Sequence, residues 1–191
     1  MRSVTIRPAR PGDVAALHAL AALTFPLACP MTTTEEAKRA FIAEHLSESA
    51  FAAAISDPLR ALVVAEEAGS PDLDNGIPGA SSRLAAYSLL VAGEPSDVDA
   101  ARAVRTRPTL ELSKLYAHPD AHGTGVAAAL VDSCLDIARA AHAASVWLGV
   151  NVHNVRANRF YEKHGFAIVG EKRFALGEVR EEDWVRERML G

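Results

Sequence analysis

The sequence predicts an α/β protein of α+β type, with a mixed, mostly antiparallel central sheet flanked by helices. Three observations lead to this fold class. Apolar runs of strand length alternate with segments of helical periodicity along the chain. The second half follows the order strand, helix, strand, helix, as a βαβα unit does. No repeat, low-complexity tract or linker divides the 191 residues, so we expect a single domain over residues 1–191.

One strand and three helices are expected at the start of the chain. Residues 4–7 alternate apolar and polar side chains, as a half-buried strand does. Asp13 is placed to be the N-cap of a helix whose apolar face carries Leu17, Leu20 and Leu23. Further helices are expected from the hydroxyl and acidic residues at 32–36, and over residues 47–55.

The middle of the chain predicts a hairpin. Two continuous apolar runs, 61–65 and 87–91, have the length of buried strands. Residues 69–82 between them are rich in Gly, Pro, Asp, Asn and Ser, which predicts a long exposed loop. A second polar insert covers residues 93–108, and we expect a partly helical segment around residues 99–103.

The second half contains the βαβα unit, with a glycine-containing turn over residues 119–125 between its first strand and its first helix. The expected strands and helices, in chain order, cover residues 109–116, 126–143, 146–150, 157–164 and 166–169.

The charge balance excludes some partners. The chain has 20 Lys and Arg against 24 Asp and Glu, a formal net charge of −4. An acidic total offers no broad positive field for phosphate backbones, so we do not expect a nucleic-acid partner. A small cationic or neutral partner fits this balance better.

The sequence indicates a cytoplasmic protein without metal. Cys29 and Cys134 lie about a hundred residues apart and form no CxxC pattern, which is typical of buried thiols in a reducing compartment. His118 and His122 are four residues apart, but Pro119 interrupts the helix that would align them and no third ligand follows. The N-terminus lacks the apolar stretch of a signal peptide, and we expect no membrane span.

The turn before the expected helix 126–143 has the features of a phosphate site. Gly123 and Gly125 lie between a strand and a helix N-terminus, where consecutive backbone N–H groups face outward. The helix dipole there favours negative charge. Taken alone, these two glycines leave a phosphate cradle and a plain strand-to-helix connection as equal alternatives.

A second motif, in residues 151–166, decides between these alternatives, because the two motifs together resemble the GNAT superfamily of acyl-CoA-dependent N-acetyltransferases. The superfamily's pyrophosphate loop, Arg or Gln followed by x-x-Gly-x-Gly/Ala, is matched by residues 122–127, with His122 at the first position. The superfamily's later signature, Asn-x-x-Ala-x-x-Phe-Tyr-x-x-x-Gly-Phe, is matched at Asn154, Ala157, Phe160, Tyr161, Gly165 and Phe166.

Within the superfamily, the chain looks most like the PaiA-type branch, which is associated with polyamine acetylation. The similarity lies in the runs Glu-Leu-Ser-Lys-Leu-Tyr at 111–116 and Trp-Leu-Gly-Val at 147–150. Where that branch often has an aromatic and an acidic residue, this chain has Asn151 and Val152.

The resemblance implies acetyl-CoA as co-substrate, bound by motifs in residues 109–166. It implies that the backbone near Tyr116 pairs with the pantetheine arm, that Asn154 bonds this arm, and that Lys163 or Arg159 meets the adenosine phosphates. His122 would add a pyrophosphate contact that is cationic only at lower pH. The implied cofactor-binding residues are Leu115, Tyr116, Ala117, His122, Gly123, Thr124, Gly125, Val126, Ala127, Asn154, Ala157, Phe160, Tyr161 and Lys163.

The resemblance also implies two catalytic residues. Tyr161 would donate a proton to the departing thiolate, with a packed aromatic side chain as the alternative. Glu111 would be the general base, with a solvated or ion-paired strand residue as the alternative. Trp184, outside the motifs, would pack on the acceptor cleft or at a subunit contact.

The implied reaction is acetyl transfer to a primary amine by direct attack, with a small amine or a polyamine favoured as acceptor. A protein N-terminal or lysine acetyltransferase and a non-catalytic acyl-CoA-binding module are the alternatives. The acceptor pocket is expected from residues 13–55 and the loops after the strands. Dimers are common in the superfamily, so a homodimer stays open beside a monomer.

Overall fold

A computed structural model describes residues 4–68, 83–176 and 179–191. The predicted loop 69–82 lies outside this part of the chain. The strands are β1 Val4–Pro8, β2 Arg60–Glu67, β3 Arg83–Ala92, β4 Thr109–Ala117, β5 Ser145–Asn151, β6 Ala167–Leu176 and β7 Val179–Met189. The helices are α1 Val14–Ala28, α2 Glu35–His45, α3 Glu48–Ser56, α4 Val98–Ala103, α5 Val126–Ala140 and α6 Val155–Lys163.

The seven strands form one sheet in the order β1-β2-β3-β4-β5-β7-β6. Neighbouring strands are antiparallel except for β4 and β5, which are parallel. A parallel pair needs a crossover connection, and α5 supplies it between β4 and β5. The mixed, mostly antiparallel sheet with a βαβα unit is therefore confirmed.

β4 and β5 pair only at their beginnings. The pairing runs from Thr109 opposite Ser145 to Glu111 opposite Trp147, and then it stops. On the other side of β4, the register with β3 shifts at Ser113, which is the extra residue of a β-bulge. A bulge bends its strand and increases the local twist. A gap therefore opens in the sheet beyond Glu111 and Trp147.

Side-chain caps begin two of the helices where the sequence places them. The Thr34 hydroxyl accepts a hydrogen bond from the Ala37 N–H at 3.1 Å, and the Ser47 hydroxyl accepts one from the Ala50 N–H at 3.2 Å. These bonds satisfy donors that a helix N-terminus leaves free.

Asp13 precedes α1 as expected, but its side chain does not cap that helix. Asp13 itself has helical torsion angles, φ −86° and ψ −10°, whereas a capping residue is extended. Its carboxylate instead accepts hydrogen bonds from Arg7 at 2.7 and 2.9 Å and from the Arg10 N–H at 2.7 Å. The hydrogen bond from Arg7 lowers the pKa of Asp13, so this pair ties the start of α1 to β1.

The N-terminal helix α1 packs on the sheet through its buried residues Leu17, Leu20, Ala21 and Phe25. Leu23, expected on the same face, is 47% exposed, because it lies on the side of the helix that carries exposed Leu27. By length and composition alone, the segment Pro11–Ala28 could cross a membrane, with a mean hydropathy of 1.2 over 18 residues. The sequence predicts no membrane span, but this segment near the N-terminus meets the length and hydropathy criteria, as buried core helices also do.

The C-terminal part of the sheet differs most from expectation. α5 ends at Ala140 rather than at residue 143, since His142 adopts a positive φ of 55° that terminates the helix. β7 was not predicted, and it lies between β5 and β6. Its sequence is rich in charged residues, three of which, Asp183, Arg186 and Glu187, are nevertheless buried.

Candidate active site

Two cavities lie at the gap between β4 and β5. The first, the α5 cavity, has a volume of about 640 Å³ and lies against α6 and the N-terminal end of α5. The second, the carboxylate cavity, has a volume of about 300 Å³ and lies between the end of α1 and strands β4 to β7. Both cavities are lined by Ala28, Leu115, Tyr116, Asn154, Ala157 and Tyr161. The two cavities therefore share a wall at the gap.

The turn before α5 presents free backbone to the α5 cavity. Gly123 and Gly125 have positive φ angles of 77° and 90°, a conformation that favours glycine. A Cβ added at either residue would meet no protein atom within 4 Å. The N-cap residue of α5 is Gly125, which has no side chain to cap the helix, so the N–H groups of the first turn are available to a ligand.

His122 and Arg156 form a pair at the rim of this turn. The Nε2 atom of His122 lies 3.1 Å from the Ala117 carbonyl oxygen, and Nδ1 lies 2.9 Å from a guanidinium nitrogen of Arg156. Because arginine can only donate, Nδ1 accepts and the proton lies on Nε2, which donates to Ala117. The imidazole is therefore neutral in this arrangement, and Arg156 supplies the permanent positive charge at this position.

Arg156 was missed by the sequence analysis, although it lies two residues after Asn154 in the recognised motif. Arg159 and Lys163 line the α5 cavity as well. Among the described residues that line this cavity there is no carboxylate. The cavity is thus locally basic within a chain of net charge −4, which suits an anionic ligand.

Tyr161 lies in the shared wall of the two cavities. It is 9% exposed and packs edge-on against Phe160 and Phe166, with ring centroids 5.3 and 5.7 Å away. Burial raises the pKa of Tyr161 above its usual value, so the phenol keeps its proton at neutral pH. Tyr161 is therefore both a packed aromatic and a protonated hydroxyl beside the gap.

The predicted cofactor-binding residues come together, with two exceptions. Thr124 and Val126 do not line the α5 cavity. The Thr124 hydroxyl donates to the Ala121 carbonyl oxygen at 2.7 Å, and Val126 is 4% exposed in the core. The residues that do line it are Leu115, Tyr116, Ala117, His122, Gly123, Gly125, Ala127, Asn154, Ala157, Phe160, Tyr161 and Lys163.

Asn154 has a structural role in this wall, because its side-chain oxygen accepts the Ala157 N–H at 3.1 Å and so caps α6. Trp184, by contrast, lines neither cavity. It lies on β7 and packs, partly buried, against the core that includes Leu148 and Val150.

The other predicted catalytic residue, Glu111, lines the carboxylate cavity together with Glu181 and Asp183. Burial raises the pKa of Glu111, and it raises the pKa of Asp183 to about 6. A carboxylate with a raised pKa is better matched to proton transfer near neutral pH. Asp183 was missed by the sequence analysis because β7 was not predicted.

Lysines also line the carboxylate cavity. Burial lowers the pKa of Lys114, while nearby Glu111 raises it. The side chain of Lys172, on β6, reaches β5 at Gly149, where an added Cβ would lie 2.5 Å from the Lys172 Cε atom. The glycine therefore makes room for this lysine.

The opposite wall of the carboxylate cavity is apolar. Phe25 and Phe41 stack with ring centroids 4.4 Å apart and an interplanar angle of 8°. Cys29 lies beside them, and its thiol donates to the Phe25 carbonyl oxygen at 3.3 Å. Burial raises the pKa of Cys29 to about 11, so this thiol is not an activated nucleophile at neutral pH.

Comparison with known proteins identifies the family. Residues 81–166 match the model of the acetyltransferase (GNAT) family. A protein of Mycobacterium tuberculosis named as an uncharacterized N-acetyltransferase is 41% identical over 178 residues, which cover 93% of this chain and 98% of that protein. The chain belongs to the GNAT family. This GNAT chain is accordingly an acyltransferase of the N-acetyltransferase type.

Two solved structures are similar to this GNAT chain in fold. The PaiA N-acetyltransferase of Thermoplasma acidophilum, in complex with coenzyme A, has a TM-score of 0.71 at 18% identity, covering 98% of this chain and 99% of its own. NAA60 of Arabidopsis thaliana, in complex with a bisubstrate analogue, has a TM-score of 0.71 at 14% identity, covering 99% and 100%. These likenesses confirm the predicted fold class.

Proposed function

We propose that this GNAT chain, as one domain over residues 1–191, transfers an acetyl group from acetyl-CoA directly to a primary amine. The observation that supports this most is the pair of cavities with a common wall. One is basic and opens at the free N-terminus of α5, and the other contains carboxylates. An anionic donor and a cationic acceptor fit these two cavities, and they would meet at the wall that contains Tyr161.

The described residues of the α5 cavity fit coenzyme A. The free N–H groups at the start of α5 would receive the pyrophosphate, as helix N-termini do, and Arg156 would add a guanidinium beside it. Beyond Glu111 the edge of β4 that faces β5 is unpaired, while Leu115 to Ala117 stay paired with β3 on the other edge. This free edge would accept the pantetheine amides as an added strand.

In the proposed reaction, acetyl-CoA supplies an acetyl thioester. Glu111 would remove a proton from the acceptor, directly or through water, so that the amine nitrogen has a free electron pair. A carbon–nitrogen bond forms as the carbon–sulfur bond breaks. Tyr161 would give its proton to the departing sulfur and regain one, through water, from the nitrogen, which carries one proton too many after the attack. These transfers give a free thiol, an amide and the original phenol, and Glu111 passes the first proton to solvent. The net reaction consumes one amine and one thioester, and it gains or loses no electrons.

A covalent enzyme intermediate is not needed in this scheme. Cys29 is the one cysteine among the described residues that line either cavity, and its raised pKa of about 11 keeps it protonated. Direct attack then depends on holding the amine and the thioester together, which the common wall would achieve.

The test is thiol release from acetyl-CoA in the presence of a panel of primary amines, together with a direct measurement of acetyl-CoA binding. The proposal expects saturable, amine-dependent thiol release and an acetylated amine by mass spectrometry. Tight acetyl-CoA binding without turnover on any small amine, polyamine or peptide amine would instead identify a binding module.

A further inference from the structure

The charge content of the carboxylate cavity bears on the acceptor. Its described lining contains three carboxylates and two lysines, an excess of one negative charge when all are ionised. A single ammonium group balances this excess. The additional ammonium groups of a polyamine would add uncompensated positive charge inside a cavity of about 300 Å³.

The lysines also stand close to the carboxylates that a polyamine would need. Lys172 interacts with both Glu111 and Asp183 and counteracts the rise in their pKa values. Lys114 has the same effect on Glu111. A second ammonium group of a polyamine, placed beside Glu111 and Asp183, would therefore meet the positive charge of a lysine.

The third carboxylate is already held by neighbouring side chains. Oxygen atoms of Glu181 accept hydrogen bonds from the Asn151 amide at 3.2 Å and from the Thr32 hydroxyl at 3.3 Å. The first bond links β7 to β5, and the second links β7 to the segment between α1 and α2. Glu181 is thus held at the cavity by neutral donors, and Asp183, the carboxylate whose pKa it raises, already interacts with Lys172.

The apolar wall indicates the rest of the acceptor. Phe25 and Phe41 present their stacked rings, with Cys29 and Pro30 beside them, opposite the charged side of the cavity. An aromatic or similarly sized apolar group gains most from such a wall, because it buries apolar area and can contact the rings edge-on. The chain of a polyamine would instead place secondary ammonium groups against this wall.

We propose that the acceptor is a monoamine, with one ammonium group and an apolar body of about aryl size, rather than a polyamine. This inference rests on the proposed function and narrows its acceptor. The ammonium group would lie beside Glu111 and Asp183, and the apolar body would lie against Phe25 and Phe41.

The experiment compares kcat/KM for 2-phenylethylamine, hexylamine, ethylamine, putrescine and spermidine at saturating acetyl-CoA. We expect 2-phenylethylamine to exceed spermidine by at least about tenfold, which corresponds to about 1.4 kcal/mol. Equal or higher kcat/KM for spermidine or putrescine would overturn the inference and leave the proposed function intact. No turnover with any amine, despite acetyl-CoA binding, would overturn both.

Two variants separate the charged side from the apolar wall. Phe41→Ala should lower kcat/KM for 2-phenylethylamine by about tenfold while ethylamine, which does not reach the wall, changes little. Lys172→Gln should raise kcat/KM for spermidine relative to 2-phenylethylamine, because it removes a like charge. Arg102→Gln, an exposed charge on α4 whose side chain is 77% accessible, is the matched control and should change neither ratio.

Each variant is first checked for folding by its thermal unfolding. Lys114→Gln provides a second test of the charge argument in case Lys172→Gln fails to fold. An unchanged ratio of spermidine to 2-phenylethylamine in a folded lysine variant would contradict the role given to the lysines.

Discussion

Substituting Gly125 by alanine separates the contribution of the α5 turn to stability from its proposed role in binding acetyl-CoA. Gly125 has a φ of 90°, and an added Cβ would meet no protein atom within 4 Å. The cost to the folded protein therefore comes from the backbone conformation alone, about 1–2 kcal/mol. For a chain of this length, such a cost lowers the Tm by about 2–8 °C.

Gly125→Ala should also weaken acetyl-CoA binding, and this loss of affinity has a cause separate from the loss of stability. The Cβ would project into the α5 cavity, where the proposed pyrophosphate must approach the N–H groups closely. Losing one hydrogen bond to a charged group costs about 1.5–3 kcal/mol. The Kd for acetyl-CoA should therefore rise by about tenfold to a hundredfold.

Gly93→Ala is the matched control for this substitution. Gly93 also has a positive φ, 127°, and open space around its Cβ position, but it lines neither cavity. Both variants should lose stability in thermal unfolding, because each places an alanine at a positive φ, while only Gly125→Ala should weaken acetyl-CoA binding in calorimetry. Normal acetyl-CoA affinity in folded Gly125→Ala would refute the assignment of the turn as the pyrophosphate site.

Four further predictions follow from the site. Arg156→Ala should raise the KM for acetyl-CoA by about tenfold. The KM for S-acetyl-N-acetylcysteamine, an acetyl donor without phosphates, should change little. An equal rise in KM for both donors would argue against a phosphate contact. Tyr161→Phe should lower kcat by about a hundredfold and acetyl-CoA affinity little, as measured by steady-state kinetics beside a binding titration; an unchanged kcat would remove the acid role. Because burial raises the pKa of Glu111, kcat at saturating amine should fall as the pH decreases through this pKa, and Glu111→Gln should abolish that limb of the profile. Burial raises the pKa of Asp183 from 3.8 to about 6. Between these two pH values Asp183 therefore binds more protons in the folded protein than in the unfolded protein. Its contribution to the free energy of unfolding decreases by about 2 kcal/mol from pH 4 to pH 6. Denaturant unfolding of Asp183→Asn should show a smaller decrease than the parent over that range, and identical pH dependence in both proteins would contradict the shift.

The predicted elements were most accurate where local chemistry decides the structure. The caps Thr34 and Ser47 begin helices at the expected places, because a hydroxyl that accepts a nearby N–H is a local event. The prediction failed at β7, where a strand rich in charged residues lies between β5 and β6. Asp183 on this strand lies opposite Asn151 of β5 and Lys172 of β6 in the sheet. The residues next to Asp183 in the sequence do not predict this position.

In the candidate site, too, the predicted features depend on residues close in the chain, and the missed ones depend on distant residues. The motifs placed Gly125 and Tyr161 at one cavity from the sequence alone, since their spacing reflects a strand, a turn and a helix that are close in the chain. Arg156 was not predicted as a site residue, because its place at the α5 cavity depends on its contact with His122, 34 residues away. An exposed arginine on a helix has no distinguishing local signal.

By itself, the sequence determined the family, the class of reaction and the glycine turn before α5, because these depend on residues that are neighbours along the chain. The tertiary structure decided what lies opposite that turn. The early end of the β4–β5 pairing opens the sheet, and β6 and β7 then bring Lys172 and Asp183 to the side of Glu111. The character of the carboxylate cavity comes from Glu111 together with Lys172 and Asp183, which are more than 60 residues further along the chain, and only the folded sheet brings their charges together.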